Sequence, residues 1–472
     1  MTTVTLYDDQ AVMVDRLSQA MRRSKSPLFQ SATGSGKTRM AAHMIDRARL
    51  KGKRSGFVVP RKTLFAQTAD TFDSFNIPFG CFASGYKPSP FQPVQLISGG
   101  TLAKRLDKAP NLDVIFIDEA HFGVADLDSI IRYYQSMGIW VIGLSATPYK
   151  TNGQGMGEWY DELIEGPQIS WLIENKRLSR FRMFAPDTPD LSGVRTRNGE
   201  FVQKDIDDYM MSEEKGRVLI GNAVRQYKKT ASGLLNVTFC TSIRHAEATA
   251  QAFNDDGVVS VAVDGKTDKH ELRRIIRAYA NREIHNLCCA QLLVFGFDLA
   301  QASGVDVTIE SMSDLAPSES LPWQLQKNGR VLRMKDFPAI MNDHAGNVAK
   351  HGLPDQDREW SLDAREKKNG GGEKTEPVRQ CPECYMTHRP TPECPGCGFV
   401  YPIMSRTIQE VDGELQEVTG PTMKKMKKPQ EVGLIARSEG LSGVIQYAKD
   451  QGYKNPQAWA RRQMSVRGLK IK

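Results

Sequence analysis

No apolar run in these 472 residues approaches the roughly 20 consecutive residues that a membrane-spanning helix needs. The first ten residues, MTTVTLYDDQ, lack a basic flank followed by an apolar stretch, so no secretory signal is expected. These absences predict a cytoplasmic protein with no membrane partner. A strong charge of either sign is missing too: the net charge is +8, too small to identify a polyanion partner by itself. After Lys350 no carboxylate–lysine cluster of the nuclease kind stands out, so any nuclease would be another polypeptide. With 40% apolar and 25% charged residues, a chain this long is expected to form two or three ordinary domains.

What charge there is lies unevenly. From Tyr401 to Lys472 thirteen Lys/Arg stand against seven Asp/Glu, which is six of the eight net positive charges. Within this tail Lys424, Lys425, Lys427 and Lys428 are compact charges suited to phosphates. A solvated face, or docking of a protein partner, is the alternative. The eight cysteines also divide. Cys81, Cys240, Cys288 and Cys289 sit in apolar stretches and read as core thiols. Cys381, Cys384, Cys394 and Cys397 form two Cys-x-x-Cys pairs nine residues apart, a pattern that supplies four thiolates to a tetrahedral, structural Zn²⁺. Disulfides are the rival, disfavoured in the cytosol. His388, inside the loop, is surplus to a complete set.

Short apolar runs alternate with helical patterns. SGFVVP (55–60), VQLIS (94–98), DVIFID (113–118) and WVIGLSAT (140–147) read as buried parallel strands. TRMAAHMIDRARL reads as a helix with Ala41, Met44, Ile45 and Ala48 on one face and Gly52 as its stop. A second set, LLNVTFCTS (234–242), VVSVAVDG (258–265), LCCAQLLVFG (287–296) and VDVTIES (305–311), predicts a second parallel α/β sheet. The expected order is a first lobe at 1–165, a connecting segment at 166–215 and a second lobe at 216–350. A flexible linker at 351–378, a four-cysteine zinc ribbon at 379–402 and a basic, partly helical tail at 403–472 follow. GVIQYAKDQGY and PQAWARRQMSV are short helix candidates in that tail.

QSATGSGKT (30–38) carries the chemistry. Gly34 and Gly36 allow a tight turn whose N–H groups face phosphate oxygens, with Thr33 and Ser35 in the same loop. Lys37 can reach the β- and γ-phosphates of a nucleotide, Thr38 can ligate Mg²⁺, and the following helix adds its N-terminal dipole. Ser31 stands where the usual leading glycine would be. DEAH (118–121) ends an apolar strand and delivers two carboxylates to the edge of the sheet where α/β proteins bind ligands. Asp118 would hold Mg²⁺ through water, and Glu119 would orient and deprotonate the attacking water.

SATGSGKT, DEAH, SATP (145–148) and QKNGRVLR (326–333) occur in the order of the superfamily 2 helicases and translocases. The chain resembles that superfamily from Leu6 to Arg333. TPYKTNGQGMGEWYDELIEGP, GFD and the cysteine pattern look most like the RadD-like branch, related to type III restriction motors. The resemblance implies two RecA-like lobes. It implies that Gln10 reads the adenine edge with Tyr7 stacking nearby, and that Arg61, Thr63 and Thr101 hold the nucleic-acid backbone. His121, Ser145 and Thr147 would couple hydrolysis to strand engagement, and Gly296 and Asp298 would lie near ribose and metal. Gln326, Arg330 and Arg333 would face the γ-phosphate from the second lobe, where a guanidinium meets the charge developing on the transferred phosphoryl.

The leading expectation is therefore an ATP-hydrolysing motor on nucleic acid, with DNA favoured over RNA through the resemblance alone. A scaffold with a degenerate nucleotide site, an RNA helicase and the motor subunit of a restriction system are the alternatives.

Overall fold

The computed structural model describes residues 4–60, 62–122, 124–150, 152–185, 189–197, 200–212, 216–290, 299, 304–305, 307–363, 376–402, 432, 435, 438–453 and 455–466. It divides into two compact units, Met1–Pro402 and Ile403–Lys472.

The first lobe is built on seven strands: β1 (Pro27–Gln30), β2 (Ser55–Val59), β3 (Gly80–Phe82), β4 (Val94–Ser98), β5 (Val114–Ile117), β6 (Trp140–Ser145) and β7 (Glu162–Glu165). Their order is β3-β4-β2-β5-β6-β1-β7, and every pair is parallel. β2, β4 and β5 are buried along their full length. Apolar residues fill both faces, as a sheet covered by helices on each side requires. Phe57, Phe72 and Phe116 pack on one face and Ile115, Ile130 and Tyr134 on the other.

The second lobe holds β8 (Phe181–Phe184), the small antiparallel pair β9 (Thr196–Arg197) and β10 (Glu200–Phe201), then β11 (Asn236–Cys240), β12 (Ser260–Val263), β13 (Asn286–Ala290), β14 (Ser311–Asp314) and β15 (Ala339–Asp343). Two further strands follow, β16 (Arg379–Gln380) and β17 (Met386–His388). The order is β12-β13-β11-β14-β15-β8-β17-β16. It is parallel from β12 to β8 and antiparallel beyond. Both lobes thus have the α/β parallel-sheet architecture that the alternating pattern predicts, and Cys240, Cys288 and Cys289 are buried in the second.

Three boundaries differ from the sequence reading. The strand expected at 305–311 is Ser311–Asp314. Its serines are held by a buried polar ladder, Ser311 Oγ donating to Asn236 Oδ1 at 2.9 Å and Asn236 Nδ2 to Ser313 Oγ at 3.4 Å. The connecting segment contributes β8 to the second sheet. The stretch expected to be a linker from 351 is packed as far as 363. Leu353 enters the second-lobe core. Gln168 and Arg358 exchange side-chain-to-backbone hydrogen bonds, 2.8 Å and 3.4 Å. Trp360 meets Tyr149 with ring centroids 5.9 Å apart, and Leu362 O accepts from Gly157 N at 2.9 Å. This strap returns the chain from the second lobe to the first. Its apolar residues follow no helix or strand period, so no pattern announced it.

In the second unit the helices Gly440–Asp450 and Pro456–Val466 pack through Val444, Ala460 and Met464. Tyr453 stacks on Trp459, centroids 4.6 Å apart. Lys424, Lys425, Lys427 and Lys428 lie outside the described residues.

Candidate functional site

The phosphate-loop candidate leaves the end of β1 and turns on two glycines. Gly34 and Gly36 have φ of +89° and +90°, a left-handed conformation that side chains resist. Gly36 caps the Lys37–Leu50 helix, so Lys37 and Thr38 open its first turn. Ser31 is no gap in the pattern: its Oγ donates to Ser35 Oγ at 2.7 Å and fastens the two ends of the loop. Lys37 is buried, and its Nζ donates to Ser31 O (2.9 Å) and Ala32 O (3.2 Å). Burial lowers its pKa, opposed by the nearby Glu119 and Asp118 carboxylates.

Asp118 follows β5 directly. Glu119, the next residue, has φ +45°, an uncommon conformation for a side-chain-bearing residue that costs on the order of 1 kcal/mol or more. The turn brings both carboxylates to the end of the sheet, and Glu119 N donates to Asp118 Oδ1 at 3.0 Å. Burial first, and Glu119 second, push the Asp118 carboxyl up to about 7. The carboxylates of Asp118 and Glu119 supply oxygen donors of the kind a divalent cation takes.

His121 lies at the centre of a chain of hydrogen bonds. Its Nδ1 is 2.8 Å from Ser145 Oγ, and Ser145 Oγ in turn donates to Thr147 O. Its Nε2 is 3.0 Å from Gln326 Nε2, which also points at Glu119 Oε2 at 3.4 Å. An amide nitrogen only donates, so His121 accepts at Nε2 and carries its proton on Nδ1. Burial holds His121 down to about 4, so the imidazole is neutral at physiological pH.

Gln326 and Arg330 belong to the helix Leu321–Val331 of the second lobe. Arg330 is buried and close enough to Lys37 to lower its pKa. Gly329 allows close approach to the loop: a Cβ there would fall 2.4 Å from Thr33 Cβ. Arg333, past the helix end, forms an isolated bridge with Leu178. The structure thus brings Lys37, Asp118, Glu119, His121, Ser145, Gln326 and Arg330 to one seam.

Other sequence candidates fall elsewhere. Gln10 is turned into the protein, its Nε2 donating to Ser35 O at 3.0 Å and its Oε1 accepting from Tyr7 N at 3.2 Å. It braces the loop, with one donor and one acceptor position of its amide used in doing so. Thr101 accepts from Ser84 N at 3.4 Å at the edge of the first lobe. Thr63 is in the Lys62–Ser74 helix, while Arg61, Gly296 and Asp298 lie outside the described residues. Asp9 and Arg177, which no motif flagged, touch the same region: Arg177 donates to Asp9 Oδ1 from Nε (3.0 Å) and Nη2 (2.6 Å).

The four cysteines converge as their spacing predicts. All four Sγ atoms lie within 4.8 Å of one another, with Cys381–Cys397 at 3.6 Å and Cys384–Cys394 at 3.7 Å. The edge of a tetrahedron with Zn–S bonds of about 2.3 Å is about 3.8 Å, so the set fits zinc. It is not a free-standing module: β17, within it, pairs with β8. Among the described residues no helix is long and apolar enough to cross a membrane.

A parallel-sheet lobe carrying the phosphate-loop and paired-carboxylate candidates, closed by a helix from a second such lobe, defines a two-lobed RecA-like motor fold. The family model described as type III restriction enzyme, res subunit, matches residues 3–150. A 51.5 kDa protein of Lactococcus phage (isolate 7-9) is 30% identical over 361 residues, covering 76% of this chain and 74% of that protein. The type I restriction enzyme EcoAI endonuclease subunit of Escherichia coli is 28% identical over 289 residues, 53% of this chain but 35% of the relative. Among solved structures, the ATP-dependent type ISP restriction-modification enzyme LlaBIII bound to DNA superposes with TM-score 0.52 at 14% identity. That match spans 72% of this chain and 28% of the larger enzyme, and it shows the fold alone. The chain belongs, with the phage protein, to the superfamily 2 helicases and translocases related to restriction-enzyme motor subunits.

Proposed function

We propose that the protein is an ATP-driven DNA translocase or helicase of the DEAH type, working in replication, recombination or repair. The observation that carries this reading is the seam itself: Lys37, Asp118 and Glu119 from one lobe meet Gln326 and Arg330 from the other. In this reading Lys37 and the N–H groups of Thr33 to Thr38 hold the β- and γ-phosphates. Glu119 takes the proton of the water attacking the γ-phosphorus as the bond to the bridging oxygen breaks. Arg330 and Arg333 face the charge spreading over the transferred phosphoryl. Mg²⁺ bound at Thr38 and Asp118 would neutralise part of that charge.

Donors from a second lobe make hydrolysis depend on closure, and closure becomes motion along a strand. The relay from Glu119 through Gln326 and His121 to Ser145 and Thr147 supports the coupling role assigned to them. Arg61, Thr63 and Thr101 are proposed backbone contacts, Gly296 and Asp298 are proposed to lie near ribose and metal, and the basic tail is a further candidate for nucleic acid or a protein partner. The zinc module, as an extension of the second sheet, stiffens that lobe.

A second reading is the motor subunit of a restriction system, favoured by the res-subunit family match and the EcoAI relative. ATP turnover with single-stranded DNA, duplex, forked DNA and RNA tests the proposal, with Lys37→Ala as the control. Strong stimulation by DNA, lost in the variant, is expected. Equal turnover in wild type and variant would remove the nucleotide-site assignment, and stimulation by RNA alone would replace DNA as the track.

A further inference from the structure

Lys176 to Ser179 lead the chain into the second lobe, and their contacts fall on three parts of the nucleotide site. Lys176 turns the chain with φ +56°. Arg177 then forks onto Asp9 Oδ1 and lies over the Tyr7 ring, 4.0 Å from its centroid. Leu178 meets the phosphate loop, since a Cβ at Gly34 would come within 3.1 Å of Leu178 Cδ2. Ser179 N donates to Leu332 O at 2.9 Å, just past the helix that carries Arg330.

Tyr7 and Asp9 flank Gln10, whose amide holds Ser35 O. They therefore stand beside the loop, where the sequence resemblance places the base of a bound nucleotide. Gln10 is buried and already spends one donor and one acceptor of its amide within the protein, whereas its neighbours in this region remain accessible. Tyr7 is 50% exposed and the Arg177 side chain 31%. A guanidinium fixed by a carboxylate and a ring presents a flat, pre-organised face on which a base can stack.

We propose that Arg177 is a nucleobase-contacting residue of this site. It stacks on the purine of the bound nucleoside triphosphate beside Tyr7, with Asp9 fixing its plane. The inference rests on the reading of residues 31–38 as a triphosphate cradle. Because Leu178 and Ser179 follow directly, a base seated on Arg177 is linked through the backbone to the phosphate loop and to the second lobe. A plain structural tie between the Asp8–Ala20 helix and the interlobe segment is the competing explanation.

The two differ in whether the effect depends on the base. Affinities for ATP and for inorganic tripolyphosphate, which lacks a base, are measured by calorimetry on the full chain, with ATP turnover alongside. Arg177→Ala is expected to weaken ATP about tenfold, in keeping with one lost base stack, and to raise KM more than it lowers turnover at saturation. Tripolyphosphate affinity stays unchanged. Arg177→Lys, which keeps the charge and loses the plane, falls between, and Asp9→Asn follows the same direction more weakly. Equal weakening of ATP and tripolyphosphate, or no weakening of either, overturns the inference. If wild type binds ATP without hydrolysing it, the motor reading fails, while the ratio of the two affinities still decides the role of Arg177.

Discussion

Gln326 Nε2 lies 3.0 Å from His121 Nε2, joining the two lobes through a hydrogen bond buried at both ends. The same nitrogen is 3.4 Å from Glu119 Oε2. A residue of the second lobe thus touches both the proposed general base and the histidine that holds Ser145.

Gln326→Ala leaves His121 Nε2 without its donor, a loss of about 1–3 kcal/mol for a buried acceptor. ATP should still bind, because the phosphate loop is untouched. Stimulation of turnover by nucleic acid should collapse. Stimulation ratio and ATP affinity, measured together, check this, and an unchanged ratio would mean that coupling runs elsewhere.

Glu119→Gln keeps the side-chain size at a position with φ +45° and removes only the ability to take a proton. Turnover should fall by at least roughly a hundredfold, with ATP affinity nearly unchanged. Single-turnover hydrolysis beside equilibrium binding separates the two. If affinity collapses instead, Glu119 is needed for the shape of the site.

Burial holds His121, His245, His344 and His351 each down to about 4, below the usual 6.5. As pH falls from 6.5 towards 4, the unfolded chain takes up protons that the folded one refuses. The stability present above 6.5 is lost across that window. Asp118 and Asp343, raised to about 7 and 6 by burial, work in the opposite direction, so a single-histidine comparison isolates the effect. His245→Asn should gain on wild type by roughly 3 kcal/mol between pH 7 and pH 4. Urea unfolding at several pH values measures the gap, and a constant gap refutes the assignment.

The purified chain should carry one zinc per molecule by emission spectroscopy. Chelation or Cys394→Ser should remove it. Because β17 pairs with β8, metal loss should raise hydrogen exchange at residues 379–388 while β2 and β5 stay protected. A protein purified without zinc, or exchange unaffected by chelation, would count against the site.

The parts of this molecule that sequence made legible are those with local rules. Gly34 and Gly36 must turn with positive φ, Asp118 must follow a buried strand, and four thiols at fixed spacing can meet one ion. β14 was misplaced because its neighbours satisfy its serines with hydrogen bonds, so hydrophobicity did not mark it. Arg177 and Trp360 were invisible for another reason. Each acquires its partner, Asp9 or Tyr149, only when segments more than 150 residues apart are folded together.

Among the described residues, the strap from Leu353 to Leu362 gives the lobes a covalent crossing besides the one at residues 166–180. A panel held at one point swings in any direction, whereas one held at two turns only about the line through them. Any parting of the lobes has to carry these crossings with it, which opposes sideways slippage of the helix that carries Gln326 past His121.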